Sequence, residues 1–178
     1  MEFEKKRVMH IDTSVKLHER RDTGISYKIV KTNEHKGLGL SIKLKKELER
    51  ELDAKYNYAR IYAICIYYLI KDDFDLFDVL VVCGDEDYFQ VKRYLDLLFS
   101  EDKKYCEKKV ISLHELRNST EDKKLKSYAD KISNSYRKRA LKSRVRQQKG
   151  IELNPIKVNY KMICEKWKEI ENKLNKKS

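Results

Sequence analysis

The sequence predicts an α/β domain, and two observations lead to that prediction. Apolar residues come in short, partly alternating runs in the first 50 residues, whereas later segments carry apolar residues at the three-to-four-residue spacing of helices. Short continuous apolar runs, typical of strands buried on both faces, stand between those helical segments. At 178 residues the chain is long enough to bury a core of its own.

The first three predicted strands are short and separated by polar turns. The first contains the run from Val8 to Ile11 and ends at Asp12, and the second is the segment from Ile25 to Val30. The third is predicted from an alternation of apolar with small or polar residues, at Leu38, Leu40, Ile42 and Leu44. Short polar connections between the three favour an antiparallel meander.

The next segment predicts a central helix. From about Asp53, a possible N-cap, to Ile70 the chain has no Gly or Pro and is apolar almost all round, so this helix should be well covered. A start near Lys45 and a start near Asp53 both fit the pattern. The apolar run from Val79 to Cys83 then predicts a fourth strand.

The second half of the chain, from Tyr88 on, predicts one strand and three helices. An amphipathic helix is marked by Tyr88, Val91, Leu95 and Leu98. The run from Val110 to Leu113 predicts the fifth strand. A further helix carries an apolar stripe at Leu125, Ala129, Ile132, Tyr136 and Ala140. Gly150 and Pro155 mark a linker before a last helix around Val158 to Leu174, so we divide the chain into a domain of residues 1–142 and a C-terminal extension, 143–178.

Positive charge is concentrated in the last quarter of the chain. The net charge is +12, and residues 137–178 contain 14 Lys and Arg against four Glu, which accounts for +10 of it. Such a basic segment can neutralise several phosphates and predicts a nucleic-acid partner. The candidate contacts are Arg137, Lys138, Arg139, Lys142, Arg144 and Arg146.

Composition excludes several other classes. Charged residues make up 39% and hydrophobic residues 40% of the chain, as in a globular protein with a charged surface. No apolar run approaches the roughly 18 residues of a membrane-spanning helix, and we expect no signal peptide. The four cysteines lack the paired spacing of a zinc site and are expected to be reduced and mostly buried. A cytoplasmic protein without a membrane partner is therefore expected.

Three aspartates carry the functional prediction. Asp12 closes the first strand, Asp85 follows the fourth, and Asp130 belongs to a later helix. A carboxylate at the tip of a buried strand is costly unless something compensates its charge, and a divalent cation is a strong compensator. Mg²⁺ or Mn²⁺ would suit such oxygen ligands.

The order of three strands, helix, strand, helix, strand and helix resembles the RNase H-like superfamily of nucleases over about residues 6–142. In that superfamily the first strand carries a metal-binding aspartate, matched by Asp12 in His-Ile-Asp-Thr-Ser. A second follows the fourth strand, matched by Asp85 in Asp-Glu-Asp-Tyr, and a third lies in the last core helix, matched by Asp130 in Ala-Asp-Lys-Ile. The resemblance implies a mixed five-stranded sheet with helices on both faces.

The resemblance also implies a reaction: two-metal hydrolysis of phosphodiesters in RNA, DNA or a hybrid. Asp12 would bridge both ions, Asp85 and Asp130 would each bind one, and Asp87 would be an alternate or outer ligand. The superfamily's glutamate after the third strand is matched locally by Lys55, so Glu51 or Asp53 would have to replace it. Without a replacement, the domain would bind nucleic acid without cutting it.

Two further interpretations stay open. The run Gly-Asp-Glu-Asp-Tyr-Phe resembles the signature of PIN-like NYN ribonucleases, in which Asp85 and Asp87 would both bind metal beside Asp12. In the last helix, Ile163 and Trp167 would either anchor a protein partner or pack back onto the domain. His114 matches a proton-transferring loop histidine of some RNase H-like proteins, or is a surface histidine.

Overall fold

The computed structural model describes residues 5–32, 34–52, 54–84, 86–120, 124–140, 153 and 155–176. Five strands form one mixed, open sheet in the order 3-2-1-4-5. They are β1 (Val8–Thr13), β2 (Thr23–Ile29), β3 (His35–Leu40), β4 (Val79–Val82) and β5 (Lys109–Ser112). β2 is antiparallel to β1 and β3, while β4 is parallel to β1 and β5. The α/β class and the meander of the first three strands are confirmed.

The described residues also form seven helices. They are α1 (Ile42–Leu52), α2 (Tyr58–Ile70), α3 (Tyr88–Leu98), α4 (Lys103–Cys106), α5 (Leu113–Thr120), α6 (Asp130–Ala140) and α7 (Tyr160–Asn175). Single 3-10 turns occur at Ala54–Tyr56 and Phe74–Leu76. None of these helices is long and apolar enough to cross a membrane.

The prediction that the third strand extends to Leu44 is wrong, because a helix begins at Ile42. The Asp22 carboxylate accepts a hydrogen bond from Ile42 N at 2.7 Å, and Ser41 Oγ accepts one from Leu44 N at 3.2 Å. These bonds satisfy amides that the first turn of a helix leaves unpaired. The alternation of apolar residues therefore ends with the strand, and Leu44 and Leu48 take up a helical spacing.

Two other element boundaries also differ from the prediction because of local caps. α2 begins at Tyr58, not near Asp53 or Lys45, because the Asn57 side chain accepts a hydrogen bond from Arg60 N. α5 was not predicted. It begins directly after β5, where Ser112 and Glu115 form a capping box with bonds of 2.6 and 3.1 Å.

One face of the sheet packs against α2, and this side holds most of the core. Ten of the 13 residues of α2 are buried, as expected for a central helix. α3 and α7 pack on α2 in turn. Ile163 and Trp167 are 0% and 4% exposed, so the last helix packs these two side chains back onto the domain rather than offering them to a partner.

The opposite face carries α5 and α6, and α6 approaches the sheet closely. A methyl group at Gly24 in β2 would lie 1.9 Å from the carbonyl oxygen of Ser133 in α6, and one at Gly37 would lie 2.3 Å from the Tyr136 ring. Only glycine leaves room for this contact. The predicted stripe of Ala129, Ile132 and Tyr136 is buried there, although the helix starts at Asp130 rather than at Leu125.

Candidate functional site

The candidate site lies at the point in the sheet where successive connections lead to opposite sides. β1 and β4 are parallel neighbours, but β1 leads to β2 on one side whereas β4 leads through α3 to β5 on the other. In open α/β sheets, such a switch point leaves a crevice at the carboxyl ends of the two strands. Asp12 lies at this end of β1, and the loop after β4 begins beside it, with Cys83 N donating to Ile11 O at 2.8 Å.

Asp12 is half-buried and is held in place by the backbone and by α6. Its Oδ1 accepts a hydrogen bond from Thr13 N at 2.8 Å, and its carbonyl oxygen accepts one from Ser133 Oγ at 2.8 Å. The Ser133 hydroxyl is also 2.8 Å from that of Ser26, which pairs with Asp12 across the β1–β2 ladder. These bonds tie α6 to the end of β1.

Asp130 is brought to the same side of the sheet as Asp12. It is the first residue of α6 and is exposed, three residues before Ser133. Residues at this spacing lie on one side of a helix, so Asp130 is about one turn from the hydroxyl that contacts Asp12. The structure therefore packs the helix that carries Asp130 against the strand end that carries Asp12.

The loop after β4 turns sharply next to β1. Gly84 has a φ of +122°, a conformation that favours glycine, and a methyl group at this position would lie 3.6 Å from Thr13 Oγ1 and from the Tyr62 ring. Tyr62 in α2 is buried, and its hydroxyl donates to Cys83 O at 2.6 Å. The tyrosine thus fixes the end of β4 against the central helix.

Electrostatics reveal a carboxylate that the sequence did not single out. The pKa of Tyr62 is well above its ordinary value, first because of burial and then because of the negative charges of Asp12 and, more weakly, Glu86. Asp12 and Glu86 therefore both act electrostatically on one buried hydroxyl. Glu86 is half-buried and also raises the pKa of Tyr58, after burial and the contact with Glu49. Its position in an acidic loop gave no signal that separated it from Asp87.

Asp87 has a structural role. Its Oδ1 accepts hydrogen bonds from Phe89 N at 2.9 Å and Gln90 N at 3.2 Å, so it is the N-cap of α3. His114 lies on the exposed side of α5, with Nε2 3.1 Å from Asn118 Nδ2, and not in a loop. Glu51 is exposed and paired with Arg50 on α1.

Several predicted residues cannot be placed. Asp53, Asp85, Lys142, Arg144 and Arg146 lie outside the described residues, as do the side chains of Lys55 and Arg139. Among the basic candidates that are described, Arg137 and Lys138 are half-buried on α6, and Arg137 donates to Asn134 Oδ1 at 2.8 Å. Part of the predicted nucleic-acid surface therefore belongs to the helix that also carries Asp130.

The donor chemistry at the site is compatible with a hard cation. Asp12, Asp130 and Glu86 supply carboxylate oxygens, which Mg²⁺ and Mn²⁺ prefer. The nearest thiol and imidazole, of Cys83 and His10, are buried. Within the described residues, no group of three or more His, Cys, Asp or Glu side chains is arranged to hold a metal ion. A complete metal site would thus need a ligand from outside those residues, such as Asp85.

The loop between β1 and β2 forms another wall of this region. Lys45 in α1 is 3% exposed, and its ammonium group donates to the carbonyl oxygens of Leu17 and Glu19 at 3.0 and 2.7 Å and to Thr23 Oγ1 at 3.1 Å. Burial lowers the Lys45 pKa. Three acceptors on one buried ammonium hold the loop in a defined conformation beside the end of β1.

Comparisons with protein-family models, with curated proteins and with solved structures find no match for this chain.

Proposed function

We propose that the protein is a metal-dependent nuclease of RNase H-like type that hydrolyses nucleic-acid phosphodiesters. The observation that carries this proposal is the position of Asp12 at the switch point between the parallel strands β1 and β4, where Ser133 ties α6, the helix that begins with Asp130, to the same strand end. The strand order 3-2-1-4-5, with only β2 antiparallel, supports it because the RNase H-like resemblance implies a mixed sheet of this size.

In this proposal, the acidic side chains hold the metal ions and the basic side chains bind the substrate. Two divalent cations, when bound, would lower the pKa of a water and neutralise the leaving oxygen. Asp12 and Asp130 would hold them with Asp85, and Glu86 would supply the carboxylate that is missing from α2, which contains no acidic residue. The oxygen of the water bonds to phosphorus as the ester oxygen leaves and takes up a proton. Lys138 and the basic residues after α6 would bind neighbouring phosphates.

A second candidate function is favoured by one observation. The residue matched to the superfamily's glutamate is Lys55, and α2 offers no carboxylate in its place. A domain that binds nucleic acid without cutting it would keep the fold and the basic residues. The NYN interpretation is less favoured, because β1 leads into an antiparallel hairpin rather than a helix and Asp87 is engaged as a helix cap.

The decisive experiment is cleavage of labelled RNA, DNA and RNA–DNA hybrid with Mg²⁺, Mn²⁺ or EDTA. We expect metal-dependent cleavage by the wild type, and cleavage at the EDTA background by Asp12→Asn and Asp85→Asn. Asp72→Asn is the matched control, since its carboxylate is exposed and paired with Lys71 near the end of α2. It should cleave like the wild type.

The outcome also separates the two candidates. If no substrate is cut in either metal while salt-sensitive binding survives in Asp12→Asn, the nuclease is excluded and the binding domain is favoured. If Asp72→Asn loses activity as fully as Asp12→Asn, the switch point is not the site.

A further inference from the structure

A cleft of about 460 Å³ opens beside the candidate site, between the start of α2 and the first turns of α3. Tyr56 and Tyr58 line one wall, and Gln90 and Tyr94 line the other. Glu86 lies where the cleft meets the loop after β4. Glu86 follows Gly84 by two residues, and Gly84 turns beside Thr13 at the end of β1, so the cleft adjoins the switch point.

The cleft displays aromatic surface to solvent. Among the described residues, only three large apolar side chains are strongly exposed, and two of them are here: Tyr56 (81%) lines the cleft, and Phe89 (80%) belongs to the α3 turn that forms its wall. The third, Tyr128 (47%), lies on the opposite face of the sheet against His10. Exposed aromatics beside a polar cleft are the arrangement on which unpaired bases stack.

The polar side chains of the cleft differ in whether they already make hydrogen bonds within the protein. The Asn57 side chain caps α2 and donates to Tyr94 Oη at 3.1 Å, so it is occupied. Gln90 is exposed, and its side-chain amide makes no hydrogen bond with another residue in the described part of the chain. An amide offers two donors and one acceptor, which suits the edge of a base.

Positive charge lies on the adjoining loop. Lys16 and Arg20 are exposed in the β1–β2 loop that Lys45 holds, and the His18 ring of that loop is 6.3 Å from the Tyr58 ring on the cleft wall. A phosphate backbone entering the cleft would therefore meet cations on one side while its base faced Tyr56. Since the charged residues that line the cleft itself, Glu86 and Asp87, are acidic, the phosphates of a bound strand would lie on the side of this loop, away from them.

We propose that this cleft binds an unpaired nucleotide next to the scissile phosphate, so that the preferred substrate is single-stranded. The base stacks on Tyr56 and meets the Gln90 amide, and the backbone runs along the Lys16–Arg20 side. A base inside a duplex is paired and stacked on its neighbours and cannot lie on Tyr56. The inference rests on the proposed function for its position beside a scissile phosphate, whereas binding itself can be measured without metal.

The test measures fluorescence anisotropy of labelled oligonucleotides of about 12 nucleotides, single-stranded DNA and RNA and the matching duplexes, in EDTA at low salt. We expect single strands to bind more tightly than duplexes. Tyr56→Ala should weaken single-strand binding by about tenfold, because a stacked base is lost, and Tyr56→Phe should restore it. Tyr128→Ala is the matched control and should bind like the wild type. Since Tyr56 is exposed, its variants should keep the wild-type melting temperature.

The inference is overturned if Tyr56→Ala binds single strands as the wild type does, if Tyr128→Ala loses as much affinity, or if duplexes bind at least as tightly. Its failure is distinguishable from failure of the nuclease. If cleavage depends on Asp12 but Tyr56→Ala does not change binding, the nuclease is supported and the nucleotide-binding cleft is excluded. Binding that depends on Tyr56, without cleavage in any metal, would support the nucleotide-binding cleft and exclude the nuclease.

Discussion

The two faces of the sheet are built differently. On the α2 face, apolar side chains of β1 and β2 such as Ile11 and Ile25 join a large core that includes most of α2 and the buried side of α7. On the other face, the separate apolar cluster has six buried members among the described residues, under α5. α6 buries the apolar stripe of Ala129, Ile132 and Tyr136 on this face and is also held by backbone contact at Gly24 and by the hydroxyls of Ser26 and Ser133.

This difference suggests separate roles for the two faces, one in stabilising the fold and the other in positioning the side chains of the candidate site. A large apolar core contributes much of the folding free energy but tolerates small shifts of its members. Hydrogen bonds and a contact that only glycine allows contribute less and fix geometry more tightly. The α6 face is the one that bears Asp12 and Asp130, so the side chains proposed to bind metal are placed by the polar face while the fold is stabilised by the apolar one.

The largest effect on stability is expected on the α2 face. Ile66 in α2 is 0% exposed, and Ile66→Ala should lower the free energy of unfolding by about 4 kcal/mol. Leu116→Ala in the small cluster should lower it by about 2 kcal/mol, because α5 lies at the surface and can relax into the space. Urea denaturation of both variants measures the difference. Equal losses would mean that the two clusters contribute alike.

A smaller effect is expected from overpacking the α6 face. Gly24→Ala puts a methyl group against backbone atoms of Ser133 and Arg137, so α6 must move. We expect this movement to lower the free energy of unfolding by about 3 kcal/mol. Gly37→Ala meets the Tyr136 ring at 2.3 to 2.6 Å, and because this ring is a buried side chain rather than backbone, the variant should lower stability by about 2 kcal/mol.

The two glycine variants also test the division between stability and positioning. If α6 positions Asp130, Gly24→Ala should lose metal-dependent cleavage at temperatures where it is still folded, and Gly37→Ala should retain it. Circular dichroism and the cleavage assay, run at one temperature, supply both readouts. Full activity of folded Gly24→Ala would show that α6 has no positioning role.

The sequence predicted the number, order and approximate extent of the strands, because apolar period and turn residues are local signals. It failed where a local cap competed with that period. The run from Leu38 to Leu44 fits a strand and the start of a helix equally well until the Asp22 carboxylate, 20 residues earlier, binds Ile42 N. α5 was missed although Ser112 and Glu115 carry a capping-box signal, because Leu113 also extended an apolar run.

The candidate site was predictable only in part. Strand ends can be read from the sequence, so Asp12 was found directly. The position of Glu86 at the edge of the cleft was not predictable, since it depends on how the loop at Gly84 turns against Tyr62. The burial of Lys45 was likewise invisible, because a lysine in an amphipathic helix is usually exposed and its three acceptors come from another loop.

A change of pH also distinguishes the two faces of the sheet. His10 is 1% exposed on the α5 and α6 face, with Nδ1 4.0 Å from Cys83 Sγ and its ring 5.1 Å from that of Tyr128. Burial lowers its pKa from 6.5 to about 4. Between these values the unfolded chain takes up a proton that the folded protein does not, so stability is unaffected above pH 6.5 and falls as the pH drops below it.

At pH 5 this loss should be about 2 kcal/mol relative to pH 7.5. Urea midpoints at both values measure it, and His10→Gln is the control because its side chain does not titrate. Carboxylates elsewhere affect wild type and variant alike, so only the difference between their pH dependences counts. An equal loss in His10→Gln would show that the imidazole is protonated without strain in the folded state, and that the polar face is more open to water than its packing indicates.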